Sequence, residues 1–112
     1  MEVSYNKLVR DNIPDIIKND GQIPIYDTIT SRNFYKECLN NKLKEEVKEY
    51  LDSSDFNELA DILEVVEALA NTSGISFKKL LKIKKKKRKR NGSFNKRIFL
   101  ISIRKDEEEW SI

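Results

Sequence analysis

The segment KLKEEVKEYLDSSDFNELADILEVVEALA, residues 42–70, carries nine carboxylates among many apolar residues. Several of these acids recur three positions apart, a spacing that places two side chains on one face of an α-helix, one turn along. The clearest pairs are Glu46 with Glu49 and Glu58 with Asp61. Acids at this spacing either occupy a solvated helix face or hold a positive ion.

Two predicted helices position these paired acids. The first begins after Ser31, a residue type that caps helix N-termini, and runs to about Leu51 with one apolar stripe. The second runs from about Phe56 to Asn71 and is apolar around nearly its whole circumference. Because the DSSD connection is short, we expect the helices to pack as an antiparallel hairpin. Both acid pairs then lie near the connection at similar heights, so the four carboxylates converge.

The segments on either side of this hairpin complete the predicted fold. Pro14 suits the first turn of a short helix, and the piece QIPIYDTIT that follows it reads as extended. A third long helix begins after Ser76 and continues into a basic run, and the piece FNKRIFLISI after that run is apolar and β-prone. We therefore predict one all-α domain over residues 1–112. It is a helical bundle built on a central antiparallel helix pair, with short extended N- and C-terminal segments.

Two residue types limit the chemistry, since the chain has no histidine and one cysteine, Cys38. A histidine general base, a Ser-His or Cys-His nucleophile and the usual histidine zinc sites are excluded. One cysteine allows no intrachain disulfide, and no segment reads as a signal sequence or a membrane span. We expect a soluble, cytoplasmic protein with no membrane partner. If it is an enzyme, carboxylates, amines and a metal ion must perform its chemistry.

The net charge of +3 hides opposite charges in two parts of the chain. Residues 1–77 carry 8 Lys or Arg and 15 Asp or Glu, whereas residues 78–112 carry 14 and 4. Eight of the nine residues in the run 82–90 are basic. This run is a solvated helix end, a source of phosphate contacts in a nucleotide site, or a nucleic-acid-binding surface. A helical module that binds nucleic acid through this run is the main alternative to an enzyme.

Four converging carboxylates repel one another unless they are protonated or share a cation. Hard oxygen ligands suit Mg²⁺, with Mn²⁺ as a possible substitute. Asp61 and Glu64 interrupt an otherwise apolar helix surface, and buried carboxylates need partners. The alternative interpretation is an ordinary helix surface, because Glu and Lys are good helix formers. Glu58 also fits a capping-box position, three residues after Asp55.

The pattern Glu46-x-x-Glu49 followed by Glu58-x-x-Asp61 resembles the metal-binding signature of the MazG-like, all-α nucleoside triphosphate pyrophosphohydrolases. Three further pieces are similar to a subgroup described as phosphoribosyl-ATP pyrophosphohydrolase-like: YNKLVRDNIPDII, ELADILEVVEALA and KRNGSFNKRIFL. They occur in the order expected for that subgroup and together cover most of the chain.

This resemblance implies a Mg²⁺-dependent hydrolase acting on a nucleoside triphosphate-type substrate. Cleavage between the α and β phosphates would give a monophosphate and pyrophosphate, and the active form would be a homodimer or homotetramer. By motif, the resemblance implies that the metal ligands are Glu46, Glu49, Glu58 and Asp61. It also implies that Glu45 holds a second metal or orients the attacking water, so the candidate catalytic carboxylates are Glu45 and Glu49.

The resemblance also indicates cations that would contact substrate phosphates. Lys87 aligns with a lysine of the family's closing segment, and Arg90 is close to the same motif. Lys7 and Arg10 either reach phosphate or pair with an acid and fix the N-terminal segment. The chain departs from the family's usual lysine and arginine at two positions, Asn12 and Asn91.

Overall fold

The computed structural model describes residues 1–105, and that part of the chain is all-helical. Its helices are α1 Ile13–Asn19, α2 Arg32–Ser53, α3 Asn57–Thr72 and α4 Phe77–Asn91. No strand forms within residues 1–105, so the all-α prediction is confirmed. Over the same range, no helix combines the length and the apolar character that crossing a bilayer requires.

The chain divides into two compact units, Met1–Leu81 and Lys82–Ile112. The first unit contains α1, α2, α3 and the start of α4, and the second contains the rest of α4 and the segment after it. Residues 106–112 lie outside the described part of the chain. The single domain over residues 1–112 stays a prediction.

Serine side chains define where two of the long helices begin. Ser31 Oγ accepts a hydrogen bond of 3.2 Å from the backbone N–H of Phe34, which satisfies a free donor in the first turn of α2. Ser76 Oγ accepts a 3.1 Å hydrogen bond from the backbone N–H of Lys79 in the first turn of α4. The predicted start of α2 after Ser31 is confirmed.

The connection between α2 and α3 is three residues long and stops one helix before starting the next. Ser54 has a φ of +57°, and its backbone N–H donates to the carbonyl of Tyr50 at 2.7 Å. This left-handed conformation ends α2. Asp55 Oδ1 then accepts a 2.9 Å hydrogen bond from the backbone N–H of Asn57, the first residue of α3. The Asp55 side chain therefore satisfies a backbone donor at the start of α3.

Within the first unit, α2 and α3 pack against each other. A connection of three residues between packed helices is typical of an antiparallel hairpin, the arrangement that the sequence predicts. Among the described residues, the buried apolar side chains are Leu39 on α2 and Val65 on α3. One charged residue, Glu46, is buried with them. The hairpin thus holds a carboxylate in its small core.

Candidate metal centre

Three carboxylates meet where α2 contacts α3. Glu46 comes from α2, and Glu58 and Asp61 come from the first turns of α3. One oxygen of each carboxylate lies within 4.8 Å of the other two. The spacing of three places Glu58 and Asp61 on one face of α3, and the helix contact adds Glu46. The structure thus brings together three of the four carboxylates predicted to bind metal.

Glu49, the fourth predicted ligand, lies beside these three carboxylates but outside the group of close oxygens. Its negative charge raises the pKa of both Glu46 and Glu58. Glu49 is exposed, whereas Glu46, one helical turn earlier, is buried. Glu49 therefore faces the solvent side of the cluster.

Two oxygens of the cluster are buried without a hydrogen-bond donor. They are Oε2 of Glu46, a residue only 7% exposed, and Oε2 of Glu58. A buried acceptor without a hydrogen-bond donor is destabilising, and a charged one more so. Closely spaced carboxylate oxygens of this kind are the ligands that Mg²⁺ and Mn²⁺ prefer. The donor set therefore fits a hard divalent cation.

The pKa values of Glu46 and Glu58 are both raised. Burial is the largest cause that raises the pKa of Glu46, and repulsion from Glu49 adds to it. Burial also raises the pKa of Glu58 to about 7, with a hydrogen bond to Asp61 and repulsion from Glu49 as further causes. Near neutral pH this raised pKa places Glu58 between its protonated and its ionised form.

Two cations of the N-terminal segment reach the acids. Arg10 Nη2 donates to Asp61 Oδ1 at 2.6 Å, and Lys7 Nζ donates to Glu45 Oε1 at 2.8 Å. The hydrogen bond from Lys7 lowers the pKa of Glu45, and the same contact raises the pKa of Lys7. Of the two alternatives for these cations, the structure shows pairing with acids of the hairpin. Contact with a substrate phosphate stays a prediction.

Lys42 is a further neighbour of the acids, and it pairs with Glu45 and Glu46, whereas its sequence spacing also allows Glu49. Its Nζ lies 3.5 Å from an oxygen of Glu45 and 3.5 Å from an oxygen of Glu46, and its side chain is 17% exposed. The spacing of three and four residues along α2 was the available signal for these two pairs. Lys42 balances part of the negative charge on the α2 side of the cluster.

Two cavities of the first unit lie outside the acidic cluster. A small one of about 70 Å³ adjoins the Lys7–Glu45 pair. A groove of about 370 Å³ is lined by residues including Tyr35 near the start of α2 and Thr72 at the end of α3. Tyr35 precedes Glu46 by roughly 16 Å along the helix axis, at 1.5 Å per residue. The groove is therefore a separate feature from the acidic cluster.

Lys87 and Arg90, the other predicted phosphate contacts, are exposed on α4 in the second unit. Arg90 Nε lies 3.4 Å from Oδ1 of Asn91, to which it donates a hydrogen bond. Their role as substrate ligands stays a prediction.

A scan against protein-family models finds no match to this chain, and searches of curated proteins and of solved structures find none either. The resemblance to MazG-like enzymes thus stays a hypothesis based on motifs.

Proposed function

We propose that this chain is a metal-dependent nucleotide pyrophosphohydrolase of the MazG-like, all-α type. It would hydrolyse the α–β phosphate bond of a nucleoside triphosphate-type substrate and release a monophosphate and pyrophosphate. The observation that carries the proposal is the pair of buried carboxylate oxygens without donors, on Glu46 and Glu58, in a cluster of three acids. A hairpin that needed only stability would place apolar side chains there, since buried charges without partners are costly.

Glu46, Glu58 and Asp61 would hold the cation, and exposed Glu49 would complete the ligand set. Mg²⁺ bound there, or Mn²⁺ in its place, would supply Lewis acidity and neutralise charge at the substrate phosphates. The chain's own residues must then accept a proton from the attacking water. Glu49 suits this role, because it is exposed at the edge of the cluster. Glu45 is the weaker base, since the hydrogen bond from Lys7 lowers its pKa.

Arg10 and Lys7 would have two roles in this proposal. In the metal-free protein they neutralise Asp61 and Glu45 across the surface of the hairpin. A divalent cation on Asp61 would compete with Arg10 for the same carboxylate. The guanidinium group released in this way could then bind a phosphate, for which its planar set of donors is well matched. Lys87 and Arg90 are the further candidates for phosphate contact.

A homodimer or homotetramer belongs to the same proposal. Large apolar side chains are exposed on α2, on α3 and in the connection between them: Val47, Leu51, Phe56, Leu59 and Leu63. An exposed apolar surface of this extent beside a small core is typical of a chain that buries it against another protein. A second copy of the chain is the partner we propose.

Metal binding is the first test of this proposal. Calorimetric titration of the purified protein with Mg²⁺ and with Mn²⁺ should show saturable binding. Asp61→Asn and Glu46→Gln should each weaken it by about tenfold or more, because each removes a charged ligand. Glu37→Gln is the matched control, since Glu37 is exposed on α2 and lies outside the cluster. Unchanged metal affinity in both cluster variants would contradict the proposed site.

Turnover is the second test. Incubation with a panel of nucleoside triphosphates and Mg²⁺ should give a monophosphate and pyrophosphate, detected by ³¹P NMR. Glu49→Gln should lower kcat by about a hundredfold or more, the usual size of a general-base contribution, while Glu37→Gln should retain activity. Release of inorganic phosphate and a diphosphate would place the cleaved bond elsewhere. If the protein binds metal but hydrolyses none of the nucleotides, the site binds a cation without this enzymatic activity.

A further inference from the structure

The C-terminal part of α4 is a continuous cationic helix. Residues 84–90 are seven consecutive Lys or Arg, all helical and all exposed. The described residues of the second unit, 82–105, contain twelve Lys or Arg and no Asp or Glu. Within residues 1–105, none of the seven cations takes part in an ion pair. Ion pairing within residues 1–105 therefore does not account for these seven positive charges.

The cations of this run point in all directions around the helix axis. Seven consecutive residues span nearly two turns, since successive side chains are about 100° apart and a turn takes about 3.6 residues. From residue 84 to the end of α4 there is no apolar position. The run therefore has no apolar face to bury and no single charged face. Its natural partner must present negative charge on more than one side.

This geometry discriminates among anionic ligands. A flat anionic membrane binds helices with one apolar and one basic face, which residues 84–90 lack. Single-stranded nucleic acid is held largely by stacking on aromatic side chains, and the run has none. A single triphosphate offers fewer negative charges than seven cations and meets only one side of a helix. The groove of a duplex has phosphates along both walls, and the major groove of B-DNA, about 12 Å wide, admits an α-helix.

We propose that residues 84–90 bind the phosphate backbone of duplex nucleic acid without base specificity. The contacts are charge pairs between Lys or Arg and phosphate oxygens, so affinity comes from the release of condensed counterions. Phosphate contacts carry no sequence information, so we expect duplexes of different sequence to bind alike. The function is independent of the acidic cluster.

Fluorescence anisotropy with labelled duplexes tests this inference on the full chain. We expect binding to a DNA duplex of arbitrary sequence, with log K falling linearly as log salt rises, at a slope of about −4 to −6 for five to seven phosphate contacts. A second DNA sequence should bind within about twofold. An RNA duplex of the same sequence shows whether the helix prefers DNA or RNA. Weaker binding to the RNA duplex would indicate that the helix uses the wide major groove of B-form DNA.

Matched charge reversals locate the surface. Lys84→Glu combined with Lys85→Glu and Lys86→Glu should lower duplex affinity by at least about tenfold, because several phosphate contacts are lost. The control has the same change in net charge at exposed cations elsewhere: Lys18→Glu, Lys36→Glu and Lys78→Glu. If both variants lose the same duplex affinity, the effect depends on net charge alone, and the assignment of binding to residues 84–90 is wrong. Circular dichroism at matched concentration checks that each variant stays helical.

Two comparisons separate this inference from the proposed enzyme and from a membrane role. Glu49→Gln should keep full duplex affinity, because its carboxylate lies beside the acidic cluster in the first unit. Vesicles containing phosphatidylserine should bind more weakly than the duplex at equal salt. Tighter vesicle binding, or salt-independent duplex binding, would overturn the proposal. So would an unchanged affinity in the Lys84, Lys85 and Lys86 variant.

Discussion

At the scale of single residues, the central feature is the contrast between Glu46 and Glu49. They are three positions apart on α2, yet Glu46 is buried and Glu49 is exposed. The contact with α3 creates the difference, because Glu46 faces Glu58 and Asp61 there. One acid thereby lies in the interior beside the other carboxylates, and the other remains open to solvent.

The raised pKa of Glu58 predicts how the stability of the metal-free protein depends on pH. Its pKa in the fold is about 7, above the ordinary value of 4.5, so the protonated carboxyl is favoured by folding. The contribution of Glu58 to the free energy of unfolding is fully present below pH 4.5 and is lost as the pH rises through about 7. The raised pKa of Glu46 acts in the same direction. We therefore expect a lower urea midpoint at pH 8 than at about pH 5.5.

Two comparisons make this prediction specific. Glu58→Gln should flatten the dependence between about pH 5.5 and pH 8, whereas Glu37→Gln should leave it unchanged. Added Mg²⁺ should raise the urea midpoint most at pH 8, where the carboxylates are ionised. Glu45 acts in the opposite sense, since its lowered pKa contributes stability that is lost as the pH falls through its folded value. A midpoint that rises steadily from pH 5.5 to pH 8 without metal would contradict the assignment for Glu58.

At the scale of elements, the N-terminal segment is attached to the hairpin by two ion pairs. Arg10 pairs with Asp61 of α3 across 51 positions of sequence, and Lys7 pairs with Glu45 of α2 across 38. Both pairs are partly exposed, so each contributes about 0.2–1 kcal/mol. The attachment is thus weak enough to respond to a competitor for Asp61.

We expect Mg²⁺ to loosen this segment. A divalent cation on Asp61 competes with Arg10, so amide hydrogen exchange in residues 7–13 should become faster when metal is added. Amides in the middle of α2 should not change, or should become more protected. Arg10→Gln should exchange quickly with or without metal, and Lys48→Gln serves as its control, because Lys48 pairs with Asp52 away from the cluster. Increased protection of residues 7–13 on metal addition would contradict the competition.

At the scale of the whole molecule, the described chain buries few apolar side chains of its own. Leu39 and Val65 are buried, whereas Phe56 on the hairpin is 76% exposed. A chain of 112 residues is long enough for one modest core. Apolar stripes at helical spacing, such as Leu59 with Leu63, are therefore available for assembly.

A charge placed in that stripe should change the oligomeric state. We expect the wild-type protein to be a dimer or tetramer by size-exclusion chromatography with light scattering, and Leu63→Glu to shift it towards monomer. Introducing a charge into a buried apolar interface is strongly unfavourable. Asn40→Glu, which adds the same charge at an exposed polar position of α2, should leave the oligomer intact. A wild-type protein that is monomeric at all concentrations would contradict the proposed homodimer or homotetramer.

Local physics explains how much of the fold could be predicted. The start of α2 after Ser31 and the break at Ser54 depend on hydrogen bonds within a few residues, so they are readable from sequence. The shared face of Glu58 and Asp61 follows from helical periodicity in the same way. The sequence by itself therefore determined the helices, and it indicated which acids could act together.

Tertiary contacts decided the rest. Which acid of the α2 pair is buried, and which cations neutralise the cluster, depends on packing between segments far apart in sequence. Arg10 reaches Asp61 because the chain folds back on the hairpin, and no local preference encodes that contact. Burial then changes acid chemistry, since removal of water raises the pKa of Glu58 and leaves its Oε2 without a donor. Spacing can place carboxylates on one face, but only the packing of α2 against α3 removes water from them and leaves two of their oxygens without donors.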